Sequence, residues 1–164
     1  MKIGVVADTH SRKIPSQLLE ELNTVDCIVH AGDFCSLKDL EIFKRIKKEF
    51  KAVYGNMDEP EVKQFLPEQL IFNIERICVG VYHGAGPAQQ VLESVESKFK
   101  NEKVDVIIFG HSHQPFNQMR KNVLYFNPGS PNDTIFAPYL SYGIIEIKNG
   151  KVLGEIIKLK GKNG

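Results

Sequence analysis

The sequence opens with MKIGVVADTH (residues 1–10), an apolar run followed by three polar residues. Residues 3–7 (IGVVA) are rich in β-branched side chains, which favour a buried strand. The apolar run breaks at Asp8 and lacks the small-residue cleavage site of a signal peptide. We therefore interpret residues 3–7 as the first strand of the fold, with Asp8, Thr9 and His10 at its carboxyl end.

The chain then repeats this pattern of a strand followed by an amphipathic stretch. Apolar runs over 27–31 (CIVHA) and 52–54 (AVY) predict the second and third strands. Residues 15–23 and 37–49 carry apolar side chains at near-helical spacing and predict helices between the strands. Such an alternation of strands and helices implies a parallel sheet with right-handed crossovers.

The later part of the chain predicts antiparallel strands around one more helix. Pairs of apolar segments predict hairpins over 69–82, 116–126 and 141–159. The last hairpin turns on Asn149-Gly150, a dipeptide typical of two-residue hairpin loops. A helix over 87–100 and a buried strand over 104–109 complete the pattern. The mixture of parallel and antiparallel segments suggests an α/β fold in which two sheets pack together with helices outside.

The composition is that of an ordinary globular domain, and we expect one domain over residues 1–164. Hydrophobic residues make up 42% and charged residues 25% of the chain. The formal net charge of +1 gives no electrostatic reason for obligate binding of nucleic acid or of an anionic membrane. The longest apolar runs are far shorter than the roughly 20 residues of a membrane-spanning helix.

Three cysteines, Cys27, Cys35 and Cys78, bear on the compartment in which the protein works. Their number is odd and their spacing is not that of a metal site, which argues against a disulfide framework. Unpaired cysteines are typical of reducing compartments. We therefore expect a cytoplasmic protein.

Five of the predicted strands end in a residue able to bind a metal ion, usually beside a glycine. The segments are Asp8-Thr9-His10, Gly32-Asp33, Gly55-Asn56-Met57-Asp58, His83-Gly84 and Gly110-His111-Ser112-His113. Ligand sites of open α/β sheets lie beyond the carboxyl ends of parallel strands. The five loops can therefore converge on one site, although they span more than half of the chain.

The chemistry of these side chains favours a site for transition metals. Imidazole together with carboxylate suits zinc, manganese, iron, nickel or cobalt and disfavours calcium or magnesium. We place Asp8 and His10 on an extended segment, so that both side chains point to one side, and His111 and His113 repeat the arrangement. The ligands are too many for one tetrahedral zinc, whereas two ions that share a bridging carboxylate account for their number.

Each motif taken alone has a simpler interpretation. Asp-Thr, Gly-Asp and Gly-Asn are common in turns, and only Gly-His-x-His after a buried strand is a sharper sign of metal binding. The combination decides the matter, because four of the five histidines follow a strand beside Asp or Gly. The fifth, His30, lies inside the strand CIVHA, and we interpret it as a structural residue that orients a neighbour.

The order of these motifs resembles the calcineurin-like metallophosphoesterase superfamily. The matching segments are D-x-H at 8–10, G-D at 32–33, G-N-x-D at 55–58, H-G at 83–84 and G-H-x-H at 110–113. Asn127-Pro128-Gly129-Ser130 resembles a further loop of the family. The short chain is similar to the small prokaryotic phosphodiesterase subfamily, which is also similar to a eukaryotic retromer subunit.

The resemblance implies a four-layer α/β/β/α sandwich of two mixed β-sheets flanked by helices. It also implies two divalent transition-metal ions, Mn²⁺ or Ni²⁺ in the first place, with Zn²⁺, Fe²⁺ or Co²⁺ as alternatives. One ion would be held by Asp8, His10, Asp33 and His113. The other would be held by Asp33, Asn56, His83 and His111, so that Asp33 is the bridge.

The activity that we expect is hydrolysis of a small phosphodiester by a hydroxide that bridges the two ions, with Asp33, Asn56 and His83 holding the ions that activate it. Many relatives carry histidine after G-N as an acid for the leaving group, but this chain has Met57. Asp58 could serve as a substitute acid, although hydrogen bonding within its loop is the simpler role. Arg12, two residues beyond His10, could hold a phosphate.

Two other functions stay open at this point. One is a phosphomonoesterase that uses the same site. The other is a protein-interaction scaffold with a vestigial metal site, as the retromer relative suggests. The sequence does not decide between a monomer and a homo-oligomer, and it does not identify the natural substrate.

Overall fold

Ten strands form two five-stranded sheets in the computed structural model, which describes residues 1–160. The first sheet contains β1 (Lys2–Val6), β2 (Cys27–His30), β3 (Glu49–Ala52), β9 (Ser141–Lys148) and β10 (Lys151–Lys158). The second contains β4 (Gln69–Ile74), β5 (Ile77–Tyr82), β6 (Val106–Ile108), β7 (Phe116–Arg120) and β8 (Val123–Asn127). Their spatial orders are β10-β9-β1-β2-β3 and β4-β5-β6-β8-β7.

Each sheet combines three parallel strands with two strands paired antiparallel. In the first sheet β1, β2 and β3 run parallel, and β9 pairs antiparallel with β1. In the second sheet β5, β6 and β8 run parallel, whereas β4 and β7 are antiparallel edge strands. The predicted metal ligands follow the carboxyl ends of five of these six parallel strands, namely β1, β2, β3, β5 and β6.

Helices cover the outer face of each sheet. These are α1 (Ser16–Leu22), α2 (Leu37–Lys44), α3 (Pro60–Phe65) and α4 (Val91–Phe99), the last preceded by a 3₁₀ turn at Ala88–Gln90. Buried side chains of α1, α2 and α3 pack on the first sheet, and those of α4 pack on the second. None of the helices within residues 1–160 is long and apolar enough to cross a bilayer.

The alternation of side chains along β1 shows how the two sheets share one core. Ile3, Val5 and Ala7 face the other sheet, while Val6 faces the helices. Both faces of this strand are therefore buried, as the continuous apolar run indicated. The predicted four-layer α/β/β/α sandwich is confirmed.

The predicted boundaries differ most from the structure between the second helix and the third strand, whereas the helix predicted over 87–100 and the strand predicted over 104–109 are shorter by a few residues. The helix predicted over 37–49 ends at Lys44, and the third strand lies over Glu49–Ala52 rather than over 52–54. Lys47 adopts a left-handed backbone with φ 58°, which breaks the helix before the strand begins. The six-residue helix α3 was not predicted, since it is shorter than a periodic pattern can reveal.

The predicted hairpins all form. Strands β4 and β5 pair antiparallel, as do β7 with β8 and β9 with β10. At the tip of the last hairpin Asn149 and Gly150 have φ of 52° and 73°. Two successive positive φ angles are what a type I′ turn requires, so the Asn-Gly signal has its expected structural cause.

Phe126 on β8 links the two sheets, and its removal should show how far the fold depends on their packing. The side chain is fully buried, and a Cβ added at Gly154 of β10 would lie 2.8 Å from its ring. We expect Phe126→Ala to lower the free energy of unfolding by about 3–5 kcal/mol, because a cavity opens between the sheets. Urea unfolding of the metal-free protein measures this change.

The control for this variant is Leu153→Ala, one residue away from Gly154. Leu153 is 68% exposed, so truncation should change the free energy of unfolding by less than about 0.5 kcal/mol. Equal effects of the two substitutions would contradict the assignment of Phe126 to the shared core.

Candidate metal centre

The loops that follow β1, β2, β3, β5 and β6 meet at one edge of the sandwich, and all seven predicted ligands lie together there. Nε2 of His10 lies 3.0 Å from Nε2 of His113, although 103 residues separate them. Oδ1 of Asn56 lies 2.8 Å from Nδ1 of His111 and 3.2 Å from Nε2 of His83. The convergence predicted from the strand ends is therefore present.

Two groups of ligand atoms can be distinguished by their distances. Asp8, His10 and His113 form one group, and Asp8, Asp33 and His83 form the other. Within each group the ligand atoms lie within 4.8 Å of one another, a spacing that allows a common ion. Asn56 and His111 extend the second group, as the distances of their side chains to His83 and to each other show.

The carboxylates of Asp8 and Asp33 each lie close to histidines of both groups. Oδ2 of Asp33 lies 3.3 Å from Nε2 of His83 and 3.7 Å from Nε2 of His10. Oδ1 of Asp8 lies 3.6 Å from Nε2 of His113 and 3.9 Å from Nε2 of His83. Asp33 therefore lies where a carboxylate could bridge two ions, as expected, and Asp8 lies in an equivalent place. That Asp33 rather than Asp8 is the bridge stays a prediction.

The backbone of the site corrects one part of the expectation. The segments around Asp8 and His10 and around His111 and His113 are not extended. Left-handed backbone, with φ between 47° and 68°, occurs at Asp8, His10, Asp33, His111 and His113. The paired side chains converge because each of these residues turns the chain sharply, at a cost of roughly 1–2 kcal/mol per residue.

Close backbone approach explains two of the glycines in the ligand loops. A Cβ on Gly32, whose φ is +99°, would lie 2.7 Å from Nδ1 of His83. A Cβ on Gly55 would lie 2.7 Å from the backbone nitrogen of Asp33. A side chain at either position would displace a neighbouring residue of the site, so space requires glycine at both, and the positive φ requires it at Gly32 as well.

Hydrogen bonds to fixed acceptors set the tautomers of three histidines. Nδ1 of His83 donates to the carbonyl of Ala31 at 2.7 Å, and Nε2 of His111 donates to the carbonyl of Gly86 at 2.7 Å. Nδ1 of His113 donates to the carboxylate of Asp133. The second ring nitrogen of each neutral histidine therefore points a lone pair into the site, where the other ligand atoms are also acceptors.

Asp8 supplies an independent test of whether a cation fits. Its Oδ2 is buried and has no hydrogen-bond partner within residues 1–160. Burial raises the pKa of Asp8 to about 6, because the ionised form has lost its water and is incompletely compensated. An orphaned carboxylate oxygen among imidazole lone pairs is an arrangement that a divalent transition metal satisfies.

When no cation is bound, protonation of His83 partly compensates the negative charges of Asp8 and Asp33. Burial alone lowers the pKa of His83, but its hydrogen bond to Asp33 and the charges of Asp8 and Asp33 raise it to about 9. For Asp33, burial raises the pKa, but the hydrogen bond from His83 and the N–H of Met57 outweigh it and hold the pKa below its usual value. A cation at this place would replace the proton on His83.

Asp58 lies beneath the ligands and is 3% exposed. Its Oδ2 accepts from the backbone N–H groups of Asp33 at 3.0 Å and Gly55 at 2.7 Å. Its Oδ1 accepts from the N–H of Cys35 at 2.7 Å. Both oxygens are thus engaged in holding two ligand loops together, which leaves Asp58 poorly placed to act as an acid for a leaving group.

Arg12 and Met57 both line the cleft above the ligands, which encloses about 710 Å³. Arg12 donates to Oδ1 of Asp133 at 3.1 Å and to the carbonyl of Asn132 at 3.3 Å. Met57 is 58% exposed, and Phe136 at 70% adds a second exposed apolar side chain to the wall. The two hydrogen bonds hold the guanidinium of Arg12 in the wall of the cleft, where it could bind a phosphate.

His30 has the supporting position that its place inside β2 indicated. Its Nδ1 accepts from the N–H of Gly32 at 3.2 Å, so Nε2 carries the hydrogen that faces the Thr9 hydroxyl at 3.2 Å. The ring stacks on Phe34, and burial holds the pKa of His30 well below 6.5. A neutral His30 thus joins the loops after β1 and β2.

The loop after β8 contributes residues that the motifs only partly indicated. The amide of Asn127 donates to the carbonyl of Gly110 at 2.9 Å, and the hydroxyl of Ser130 donates to the carbonyl of Asp8 at 2.7 Å. The resemblance drew attention to the Asn-Pro-Gly-Ser segment without giving it a role. Asp133 was missed altogether, since a lone Asp in a loop has no distinguishing pattern.

Comparison with known proteins gives a family for this arrangement. The family model of the calcineurin-like phosphoesterase superfamily domain matches residues 1–150. A probable metallophosphoesterase of Methanocaldococcus jannaschii is 37% identical over 137 residues, 80% of this chain and 68% of the relative. A phosphodiesterase of the same organism is 30% identical over 144 residues, 79% of this chain and 83% of the relative. The resemblance inferred from the motifs is confirmed.

A solved structure confirms the fold. Vps29 of Entamoeba histolytica, in complex with Zn²⁺, has a TM-score of 0.76 and 24% identity over 96% of this chain and 99% of its own. The predicted similarity to a retromer subunit therefore holds at the level of the fold.

Nuclear magnetic resonance of the metal-free protein tests the electrostatics of the site. We expect the ring of His83 to titrate near pH 9, while burial keeps the titrations of His10 and His111 below pH 6.5. The charged form of His83 stabilises the fold below pH 6.5, and this contribution is lost as the pH rises through about 9. His83→Gln assigns the resonance, and a ring titrating at or below pH 6.5 would contradict the proposed charge balance.

Proposed function

The chain belongs to the calcineurin-like phosphoesterase superfamily, a family of hydrolases, and we propose that it is a phosphodiesterase that depends on two divalent metal ions. The convergence of acceptor atoms carries this proposal. Imidazole lone pairs and carboxylate oxygens face one another at 3.0–4.0 Å, and one buried carboxylate oxygen lacks a partner within the described residues. Such a cluster is stable only when protons or a cation lie among its acceptor atoms, and a divalent cation satisfies several of them at once.

The ligands divide between the two ions as the resemblance implied. Asp8, His10, Asp33 and His113 would hold one ion, and Asp33, Asn56, His83 and His111 would hold the other. When bound there, two ions would lower the pKa of water so that hydroxide is available at neutral pH, and would neutralise charge on the phosphoryl oxygens. Mn²⁺ or Ni²⁺ are the ions that we propose first, and Zn²⁺, Fe²⁺ and Co²⁺ suit the same ligands.

The residues of the cleft determine how a substrate binds and leaves. Arg12 binds a non-bridging phosphate oxygen through the guanidinium nitrogens that Asp133 does not occupy. Met57 cannot donate a proton, and the carboxylate of Asp58 is engaged by backbone N–H groups. Esters whose alcohols leave without protonation are therefore the preferred substrates.

A small phosphodiester is the substrate class that we propose, on the ground that a relative at 30% identity is named a phosphodiesterase. The net charge of +1 supports a small substrate rather than an obligate nucleic acid or membrane partner. The free cysteines support a cytoplasmic location.

Hydrolysis of bis-p-nitrophenyl phosphate tests the proposal. With Mn²⁺ or Ni²⁺ present, we expect Asp8→Asn to lower kcat/KM at least about 100-fold, because several kcal/mol of transition-state stabilisation depend on the ions. The matched control is Asp105→Asn, a carboxylate that accepts the N–H of Cys78 on the second sheet. A monoester rate higher than the diester rate would favour a phosphomonoesterase, and absence of both activity and bound metal in the wild type would favour a scaffold.

Met57→His tests whether the lack of a general acid at position 57 limits the hydrolysis of esters with poor leaving groups. We expect the variant to hydrolyse diphenyl phosphate at least about 10-fold faster, because a well-placed general acid contributes about 10²–10⁴ in rate when the leaving group is poor. The rate on bis-p-nitrophenyl phosphate, whose leaving group needs no proton, should change little. Met57→Gln, of similar size and without an acidic proton, is the control, and an equal gain for both esters would refute this role for position 57.

A further inference from the structure

Asp133 is a buried carboxylate outside the set of ligands, and its two oxygens have different partners. It is 1% exposed. Oδ2 accepts from Nδ1 of His113. Oδ1 accepts from Nη1 of Arg12 at 3.1 Å and from the backbone N–H of Ile135 at 2.9 Å. One side chain thus joins a predicted metal ligand to the arginine of the cleft.

The bond to His113 determines which ring nitrogen is available to an ion. Because Nδ1 carries the hydrogen that Asp133 accepts, Nε2 of His113 presents its lone pair. Nε2 lies 3.0 Å from Nε2 of His10 and 3.6 Å from Oδ1 of Asp8, and so faces the other ligands of the first group. With the opposite tautomer a hydrogen would occupy the direction in which the ion must bind.

We propose that Asp133 is a positioning residue that holds His113 in the Nδ1–H tautomer for metal binding and holds Arg12 at the wall of the cleft. The proposal rests on the proposed two-metal function. It assigns Asp133 no contact with substrate or ion. Its effect passes through His113 to one of the two ions and through Arg12 to the phosphate.

Replacement by asparagine separates this role from a structural one. Arg12 and Ile135 can only donate, so the amide oxygen at position 133 must turn toward them. The amide nitrogen then faces Nδ1 of His113 and donates to it. His113 must accept that hydrogen bond, which moves its own hydrogen to Nε2 and blocks the ion.

Alanine at the same position removes the constraint without reversing it. His113 can then adopt either tautomer. If Asp133 served only to shape its loop, the isosteric Asp133→Asn would bind metal better than Asp133→Ala. If Asp133 sets the tautomer, Asp133→Asn binds metal as weakly as Asp133→Ala or more weakly.

Equilibrium dialysis of the metal-free proteins against Mn²⁺, followed by elemental analysis, measures the difference. We expect the wild type and Asp105→Asn to bind two ions per chain. Asp133→Asn should bind one ion with unchanged affinity and the other at least about 10–100-fold more weakly, the range typical when the partner of a metal-binding histidine is lost. Equal binding by the wild type and Asp133→Asn, or tighter binding by Asp133→Asn than by Asp133→Ala, overturns the proposal.

The ¹⁵N chemical shifts of the His113 ring give a readout that requires no metal, and its wild-type measurement requires no variant. In the metal-free wild type they should report hydrogen on Nδ1, and in Asp133→Asn on Nε2. Hydrogen on Nε2 in the wild type overturns the role of Asp133 even if two ions bind. A wild type that has the expected tautomer but binds no metal instead overturns the proposed function, and with it the purpose of the tautomer.

Discussion

Buried and partly buried acceptor atoms that face one another at the edge of the sandwich are the constraint on which the rest of the structure depends. Nε2 of His10 and of His113 lie 3.0 Å apart, and Nε2 of His83 lies 3.3 Å from Oδ2 of Asp33. Such contacts are unfavourable unless a proton or a cation lies between the two atoms. The raised pKa of His83 expresses the same constraint, because a proton takes over part of the role of a cation.

The arrangement requires left-handed backbone conformations that are unfavourable for residues other than glycine. Left-handed φ angles at Asp8, His10 and Asp33 each disfavour the site by roughly 1–2 kcal/mol. The strands behind these residues lie in a core buried on both faces, and Asp58 ties the loops after β2 and β3 through three backbone N–H groups. Burial of the strands and the hydrogen bonds of Asp58 thus offset the conformational cost of the left-handed residues.

The convergence of the seven predicted ligands at one edge is predictable from the sequence because the signal is local. A run of apolar residues indicates a buried strand, and the residue after that run lies at the carboxyl end of the strand. Features with a distant cause are not predictable in this way. The extended segment predicted for Asp8 and His10 is wrong, because nothing in D-T-H indicates the left-handed turns. The role of Asp133 is not predictable, because the partners of that carboxylate, Arg12 and His113, are 121 and 20 residues away. The helix predicted over 37–49 reaches into β3, because the sequence does not indicate the turn over residues 45–48, in which Lys47 is left-handed.

The origin of the ligands connects the site to the stability of the whole sandwich. Loops of the first sheet supply Asp8, His10, Asp33 and Asn56, and loops of the second sheet supply His83, His111 and His113. Neither sheet alone brings together a complete set, so a cation held by both groups binds only when the sheets are packed. A ligand of this kind stabilises the packed state by about 2.7 kcal/mol when its concentration is 100 times its Kd. A cation bound at this centre would therefore join the two sheets at their polar edge, whereas Phe126 joins them by apolar contact in the interior.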